Sequence, residues 1–410
     1  MEVEIIAIGN EILEGTVVNS NAAFISKQLA LVGFTIKQHL VLPDDEGALN
    51  AGLANALQRN VLVIATGGLG PTTDDITRKV AADLFESDWS FHEGIAAVLK
   101  DRYGDKLTSL EDQATVPSKA KVLANSVGTA PGLIFSSEEK STLILLPGVP
   151  VEMKAMLVNA VIPYLQETFF LEERVFTESI HFCMLTESAI DQELRRIMKS
   201  FSEVSYGSYP SQGIVSIKFS TVAKTKAEAQ LLLSGPKDAL LENFSEHSFE
   251  AAEGKIEEAI HQLFIENNLT LALAESCTGG AVAARLTSLG GSSKYFLGSI
   301  VSYCNELKAK ILNVSLDTLE NYGAVSEETA GEMLQGVLEM TLADFGVAVT
   351  GVAGPQGGSS EKPVGTICIA LGKKGGGTPQ IFTLTLHGNR EAIITRSVNI
   401  ILSRLWMMVK

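Results

Sequence analysis

Ser276, Cys277 and Thr278 stand side by side in the stretch LTLALAESCTGG, Leu269 to Gly280, and through them this chain could make or break a bond. A hydroxyl becomes a nucleophile once a neighbouring base takes its proton. The alternating apolar residues Leu269, Leu271 and Leu273 predict a buried strand that stops at Glu275, and Ala281 to Leu289 predicts a helix. At such a junction the first helical amides lack intrahelical partners and the helix dipole is positive, so negative charge developing beside Ser276 to Thr278 is stabilised. Gly279 and Gly280 remove side chains that would keep a substrate from that backbone. The same residues also suit an ordinary capped turn. The candidate bases are His261, His387 or a lysine, since the region holds no other histidine. Cys277 is the alternative nucleophile, a thiolate being activated by the same field.

A second set of chemistry-bearing loops lies in the first half of the chain. Thr66 to Asp75, TGGLGPTTDD, joins Gly67, Gly68 and Gly70 to Thr72, Thr73, Asp74 and Asp75. Gly9-Asn10-Glu11 and the segment Pro147 to Pro150 with Glu152 carry further acids. A glycine-rich turn cradles phosphate, and Glu11, Asp74, Asp75 and Glu152 suit a divalent cation held against it. Thr72 to Asp75 also fit the capping of a helix that would begin at Asp74. No GxGxxG follows the first strand and no GK[ST] is present, so neither a dinucleotide fingerprint nor a Walker loop is predicted.

The elements that must position these loops are legible from periodicity. Strands at 3–9, 35–42 and 61–66 alternate with helices at 20–32 and 46–58, which predicts an α/β domain with a doubly wound, mostly parallel sheet. In such sheets ligands gather outside the carboxyl ends of the strands, where all three loops fall. Val151 to Phe169 predicts one helix. A strand at Arg174 to Cys183, a helix at Glu187 to Lys199, a strand at Gly213 to Thr221 and a helix at 225–235 predict a small α+β linker domain without a catalytic constellation. From Ala251 the pattern is again α/β: a helix, the strand before Ser276, a strand at Ser299 to Tyr303, and a helix carrying Asn305, Lys308 and Lys310. A helix at Ser326 to Leu342, strands at Phe345 to Thr350, Val364 to Leu371 and Ile381 to Leu386, and a last helix near Asn389 complete it. Three domains are expected, at 1–170, 171–250 and 251–410.

Composition narrows the function. The chain has 410 residues, 46% of them hydrophobic and 20% charged, enough for several cores and unlike a disordered chain. Its formal net charge of −16, with no Lys/Arg-rich block, argues against a nucleic-acid or acidic-membrane partner. The four cysteines show no metal spacing and the six histidines no HExxH pair. No secretory leader pattern precedes the first strand and no apolar run of roughly 20 residues is read from the sequence. A reduced, cytoplasmic, soluble protein is expected, acting on a small molecule and assembling as a homodimer.

GNEIL, TGGLGPTTDDITRKVAA, NSVGTAPG at Asn125 to Gly132, and LPGVPVEM resemble the N-terminal domain of CinA proteins, which is similar to molybdopterin-binding domains. AESCTGG resembles the CinA C-terminal domain, the nicotinamide mononucleotide deamidase, and LTESAIDQEL its linker. The resemblance implies conversion of nicotinamide mononucleotide to nicotinate mononucleotide and ammonia, without a cofactor. It implies Ser276 as nucleophile and, from YCNELK matching YxNExK, Lys308 as its base. Thr278, Gly279 and Gly280 would supply oxyanion donors; Tyr303, Thr350, Gly351, Gly354 and Arg390 would surround the substrate. For Lys308 to be neutral near pH 7, its pKa must fall from about 10.4 to about 7–8, a demand of roughly 3–5 kcal/mol that requires shielding. For the N-terminal domain the resemblance implies a metal-dependent ADP-ribose pyrophosphatase. Asn10 stands where relatives usually have Asp, which weakens metal binding, and Asn389 replaces the Asp of GDRE. The alternatives are a nucleotide- or pterin-binding module with relic loops, and the Cys277 mechanism.

Overall fold

The computed structural model describes residues 1–104, 110–137, 141–169 and 173–410. Two compact units divide the chain, one of residues 1–176 with 221–230 and the other of 177–220 with 231–410.

In the first unit, strands β1 (Glu2–Ile8), β2 (Thr35–Leu42), β3 (Leu62–Thr66), β4 (Lys121–Leu123), β5 (Gly132–Ser136) and β6 (Thr142–Leu146) form one sheet in the order β2-β1-β3-β6-β5-β4. The first four in that order are parallel, and β5 and β4 add an antiparallel edge. β1 shows why the sheet is covered on both faces: Val3 and Ile5 enter one apolar cluster, while Ile6 and Ile8 enter another on the opposite side. The helix expected to begin at Asp74 begins at Thr77 instead. Asp75 is drawn into a turn by Thr72, whose amide donates to Asp75 Oδ2 at 3.0 Å. The single helix expected over Val151 to Phe169 is three pieces: α-helix Pro150–Met156, a π turn Leu157–Val161, and α-helix Ile162–Thr168. Pro163 has no N–H to donate back along an unbroken α ladder, and the wider turn absorbs that loss.

A second sheet contains β7 (Arg174–Cys183), β8 (Ser205–Ser211), β9 (Ile214–Ala223) and β10 (Ser248–Phe249), ordered β8-β9-β7-β10. The helix expected at 225–235 runs from Lys226 to Phe244 with Pro236 inside it. Burial of Leu233 and Leu240 on either side of that proline offsets the broken backbone bond.

The remaining sheet is made of β11 (Leu271–Glu275), β12 (Phe296–Val301), β13 (Phe345–Gly351), β14 (Thr366–Lys373) and β15 (Gln380–Thr385), in the order β12-β11-β13-β14-β15. The first three are parallel; β14 and β15, which follow β13 without an intervening helix, are antiparallel. The strand expected at Ser299 to Tyr303 lies three residues earlier because Leu271 pairs with Phe296, and Ser302 already leaves the ladder. Leu271 and Leu273 face the helices Ile256–Glu266 and Arg390–Val409, whereas Ala272 and Ala274 face Glu327–Thr341. The helix Arg390–Val409 is long and apolar enough to cross a membrane by length and composition. That corrects the expectation that no such run exists, but Ile393, Val398, Ile401, Leu402 and Leu405 are buried in the core.

This packing sets the carboxyl ends of β11, β12 and β13 side by side, so that Ser276 and Ser302 leave the sheet as neighbours while Thr350 stays in β13 near its end. Helix Ala281–Thr287 is tied to Ile256–Glu266 by a bidentate pair, Arg285 Nε to Glu257 Oε1 at 2.7 Å and Nη2 to Oε2 at 2.5 Å. Helix Asn305–Leu312, which carries Lys308, rests on Gly336: a Cβ there would stand 2.0 Å from the Leu312 carbonyl oxygen. Backbone cannot yield as a side chain can. Gly336→Ala should therefore lower unfolding stability by about 1–3 kcal/mol in denaturant titration despite the better helix propensity of alanine. An unchanged or raised midpoint would show that the two helices are not in register-locked contact.

Candidate active site

The turn after β11 is built around Glu275. Its carboxylate is 1% exposed and accepts from the Thr278 hydroxyl (2.8 Å), the amides of Gly280 (3.0 Å), Val282 (3.1 Å) and Ala283 (3.0 Å), and the Ser299 hydroxyl (3.0 Å). The anion expected at the start of this helix is thus supplied by the chain itself. The Gly279 amide donates to the Ser276 carbonyl at 2.9 Å and the Ala281 amide to the Thr278 carbonyl at 3.1 Å. The assignment of Gly279 and Gly280 as oxyanion donors is corrected accordingly, because both N–H groups are already spent. The amides of Cys277 and Thr278 have no hydrogen-bond partner among the described residues. Gly279 and Gly280 instead allow the turn itself, with φ of 63° and 95°.

Ser276 is 7% exposed and Lys308 1%. Ser276 Oγ and Lys308 Nζ lie 2.9 Å apart, and Nζ donates to the Ser302 carbonyl at 2.6 Å. Among the described residues no carboxylate lies within ion-pair distance of Lys308, and burial pulls its pKa below the usual lysine range. Nζ donates to both oxygens, and loss of one proton would leave a lone pair facing the Ser276 hydroxyl. The Ser276 hydroxyl is partnered by Lys308, and among the described residues neither His261, which rests against Tyr295, nor His387 is hydrogen-bonded to it. Cys277 is 6% exposed, packs in the apolar core, and burial pushes its thiol up to about 12, the reverse of an activated thiolate. The Ser302 hydroxyl is fully buried and has no partner among the described residues.

The residues expected around the substrate divide into two groups. Tyr303, 60% exposed, follows Ser302 directly, and its hydroxyl accepts from Arg390 Nη2 at 2.9 Å; Arg390 Nη1 donates to the Gly354 carbonyl at 2.8 Å. Arg390 therefore gathers Tyr303 and the TGVAGPQGG loop. Thr350 and Gly351 are structural by contrast. The Thr350 hydroxyl donates to the Ala324 carbonyl at 2.7 Å, and a Cβ on Gly351 would stand 2.6 Å from the Thr366 carbonyl oxygen. Asn389 caps the last helix through Oδ1, accepting from the Ala392 amide at 2.9 Å, so capping there does not need a carboxylate.

In the first unit, Glu11, Asp44, Asp74, Asp75 and Glu152 line one cavity of about 400 Å³ together with Gly67, Gly68 and Gly70. Asp44 was not singled out from the sequence. It accepts from the Asn10 amide at 2.9 Å, while Asn10 Oδ1 accepts from the Asp44 amide at 3.4 Å. The acids do not fit a metal centre as they stand: among the described residues no three acidic, histidine or cysteine side chains gather into a metal-holding group. Their oxygens are engaged elsewhere. Thr72 contacts both Asp74 and Asp75, its hydroxyl holding Asp74 below the usual carboxylate range, and Glu152 accepts from Asn125 Nδ2 at 2.6 Å. Several glycines are seats for these acids and not a phosphate cradle. A Cβ on Gly9, Gly70 or Gly128 would come within 2.5 Å of Glu11, Asp75 or Glu152 respectively. The Gly67 amide is spent on the Leu146 carbonyl, whereas Thr73 is exposed with no side-chain partner among the described residues.

The family profile for the CinA C-terminal domain matches residues 253–409, and that for a probable molybdopterin binding domain matches residues 4–167. A putative competence-damage inducible protein of Acetivibrio thermocellus is 38% identical over 397 residues, covering 96% of this chain and 95% of its own. A CinA-like protein of Dictyoglomus turgidum is 35% identical over 397 residues, with the same coverages of 96% and 95%. Among solved structures, the protein CinA of Thermoplasma acidophilum is similar to 40% of this chain over 96% of its own, with 37% identity and a TM-score of 0.37.

The depressed pKa of Lys308 has a consequence for stability. Below about 10.4 the unfolded chain takes up a proton that the folded chain refuses until its own lower pKa is reached, so the Lys308 contribution to stability rises with pH across that window. Lys308→Met removes the titration. Its unfolding free energy relative to wild type should be most favourable at the acid side of the window and the difference should shrink toward pH 10. A difference independent of pH would mean that Lys308 is charged in the fold.

Proposed function

The chain belongs to the CinA family, and on that premise we propose that its C-terminal domain is an amidohydrolase that converts nicotinamide mononucleotide to nicotinate mononucleotide and ammonia. The observation that carries the reading is the 2.9 Å contact between Ser276 Oγ and a buried Lys308 Nζ that has no counter-ion among the described residues. Ser276 Oγ attacks the carboxamide carbon as its proton passes to Lys308 Nζ. The carbonyl oxygen becomes an oxyanion beside the free amides of Cys277 and Thr278; one such donor typically contributes roughly 2.7–4 kcal/mol to the transition state. Lys308 then delivers the proton to the departing nitrogen, releasing ammonia and leaving an ester on Ser276. Water attacks that ester, Lys308 takes the water proton, and its return to Ser276 Oγ frees the acid. Arg390 retains N–H donors beyond those given to Tyr303 and Gly354, and its planar fork suits the nucleotide phosphate.

For the N-terminal unit we propose binding of a phosphate-bearing nucleotide in the acid-lined cavity, with ADP-ribose as the ligand implied by the family. No hydrolytic step is derived, since the carboxylates do not gather around an ion as they stand. A divalent cation would compensate their charge against a pyrophosphate, drawing on Glu11, Asp74, Asp75 and Glu152.

Two experiments test these readings. Ser276→Ala should lose nearly all ammonia release from nicotinamide mononucleotide, by about 10⁴-fold or more, whereas Cys277→Ala should keep most of it. The reverse ranking would discard the serine mechanism. In calorimetric titration with ADP-ribose and a chelator present, Asn10→Asp should bind more weakly than wild type, because it adds a charge beside Asp44. Millimolar Mg²⁺ should close or invert that gap, and identical isotherms under both conditions would remove the cation from the account.

A further inference from the structure

The proposed reaction employs Ser276, Lys308 and two amides, and it leaves a buried carboxylate immediately before the nucleophile without a task. Glu275 receives five hydrogen bonds, three from backbone amides of the following turn and helix and two from hydroxyls on Thr278 and Ser299. Among the described residues it has no ion-pair partner, so its environment is made of dipoles alone. A helix start needs one side-chain oxygen on one or two amides, which Ser, Thr or Asp supplies. Glu275 does more, because Ser299 belongs to the neighbouring strand β12, whose end carries Ser302 and hence the carbonyl that holds Lys308. One carboxylate thus ties the turn bearing the nucleophile to the strand that leads to the base.

The accounting of amides gives the second part of the argument. The N–H groups of residues 279–283 all donate within the fold, those of Gly280, Val282 and Ala283 to Glu275 itself. Cys277 and Thr278 alone in the turn after Ser276 keep theirs free among the described residues. We infer that Glu275 is a positioning residue. It locks the turn in the single arrangement that brings Ser276 Oγ to Lys308 and leaves the amides of Cys277 and Thr278 for the oxyanion. It acts through the backbone and touches neither substrate nor reacting atoms. The inference rests on the amidohydrolase reading for its catalytic meaning.

Glu275→Gln is the discriminating variant. It keeps the shape but turns one oxygen into an NH₂ group, which must face either three donors or two. Ser299 can rotate to accept from that group, whereas a backbone amide cannot. In the full chain, kcat for nicotinamide mononucleotide should fall by about 100-fold, as for loss of an oxyanion donor, with KM changed less than about threefold. The acid limb of the pH–kcat/KM profile, which belongs to Lys308, should not move. A merely structural role would reduce the folded fraction seen by circular dichroism and leave kcat per folded molecule intact. Amide hydrogen exchange supplies an arm independent of turnover: the segment 276–284 should exchange at least about tenfold faster in Glu275→Gln, while Phe345–Gly351 keeps its protection. If wild type releases no ammonia, the amidohydrolase reading fails and exchange alone decides the positioning claim. Unchanged exchange in segment 276–284, or a kcat within threefold of wild type where wild type is active, overturns it.

Discussion

An amino group has been taken out of water at Lys308 with no carboxylate among the described residues to accompany it, and the C-terminal half of the chain is arranged around that fact. Burying an ammonium disfavours its charged form, and this lowers the pKa of Lys308. Its Nζ lies 2.9 Å from a serine hydroxyl and is anchored at the other side by the Ser302 carbonyl. The proton acceptance proposed for Lys308 and its hold on the serine both draw on that one act of desolvation. The cost falls on stability, and the surrounding packing must sustain it. The helix of Lys308 is seated against Gly336 at backbone contact, and the strand end that feeds it is held in register with β11.

Both halves of the chain place chemistry where parallel strands end, but one buries its negative charge and the other keeps it open to solvent. In the C-terminal domain a single carboxylate is saturated by amides and hydroxyls and becomes part of the frame. In the N-terminal unit five acids surround one cavity, several folded back over glycines and engaged by Thr72 or Asn125. There the charge is distributed along the wall of the cavity and is left for a ligand or an ion to compensate.

Much of this was legible from the residues. The alternation in LTLALAE located β11, and the strand–helix rhythm of residues 3–66 predicted the parallel sheet, because each depends on neighbours close in sequence. The motif order identified the family and pointed to Ser276 and Lys308. Periodicity could not have chosen Lys308 over any other lysine, since its burial arises from contacts 32 residues away. Glu275 was passed over as the end of a strand. Its signal was an acid directly before a hydroxyl-rich, glycine-rich helix start, but its bonds to residues 278–283 and to Ser299 arise only when the turn closes. Of the three amides expected for an oxyanion, that of Thr278 is free among the described residues, while Gly279 gives its own to the Ser276 carbonyl and Gly280 to Glu275, bonds that likewise arise only when the turn closes. Pro163 was a visible warning that Val151 to Phe169 would not be one regular helix.

The account is tested most directly at the Lys308 amine itself, before any substrate is added. With lysines carrying ¹³C at Cε, the resonance assigned by its loss in Lys308→Met reports the protonation state as pH is varied. A buried amine without a counter-ion predicts a midpoint clearly below the value of about 10.4 for a free lysine, with the amine neutral above that midpoint. A midpoint at or above the free value would mean that Lys308 is an ammonium in the fold, unable to accept the Ser276 proton, and the central claim would fall with it.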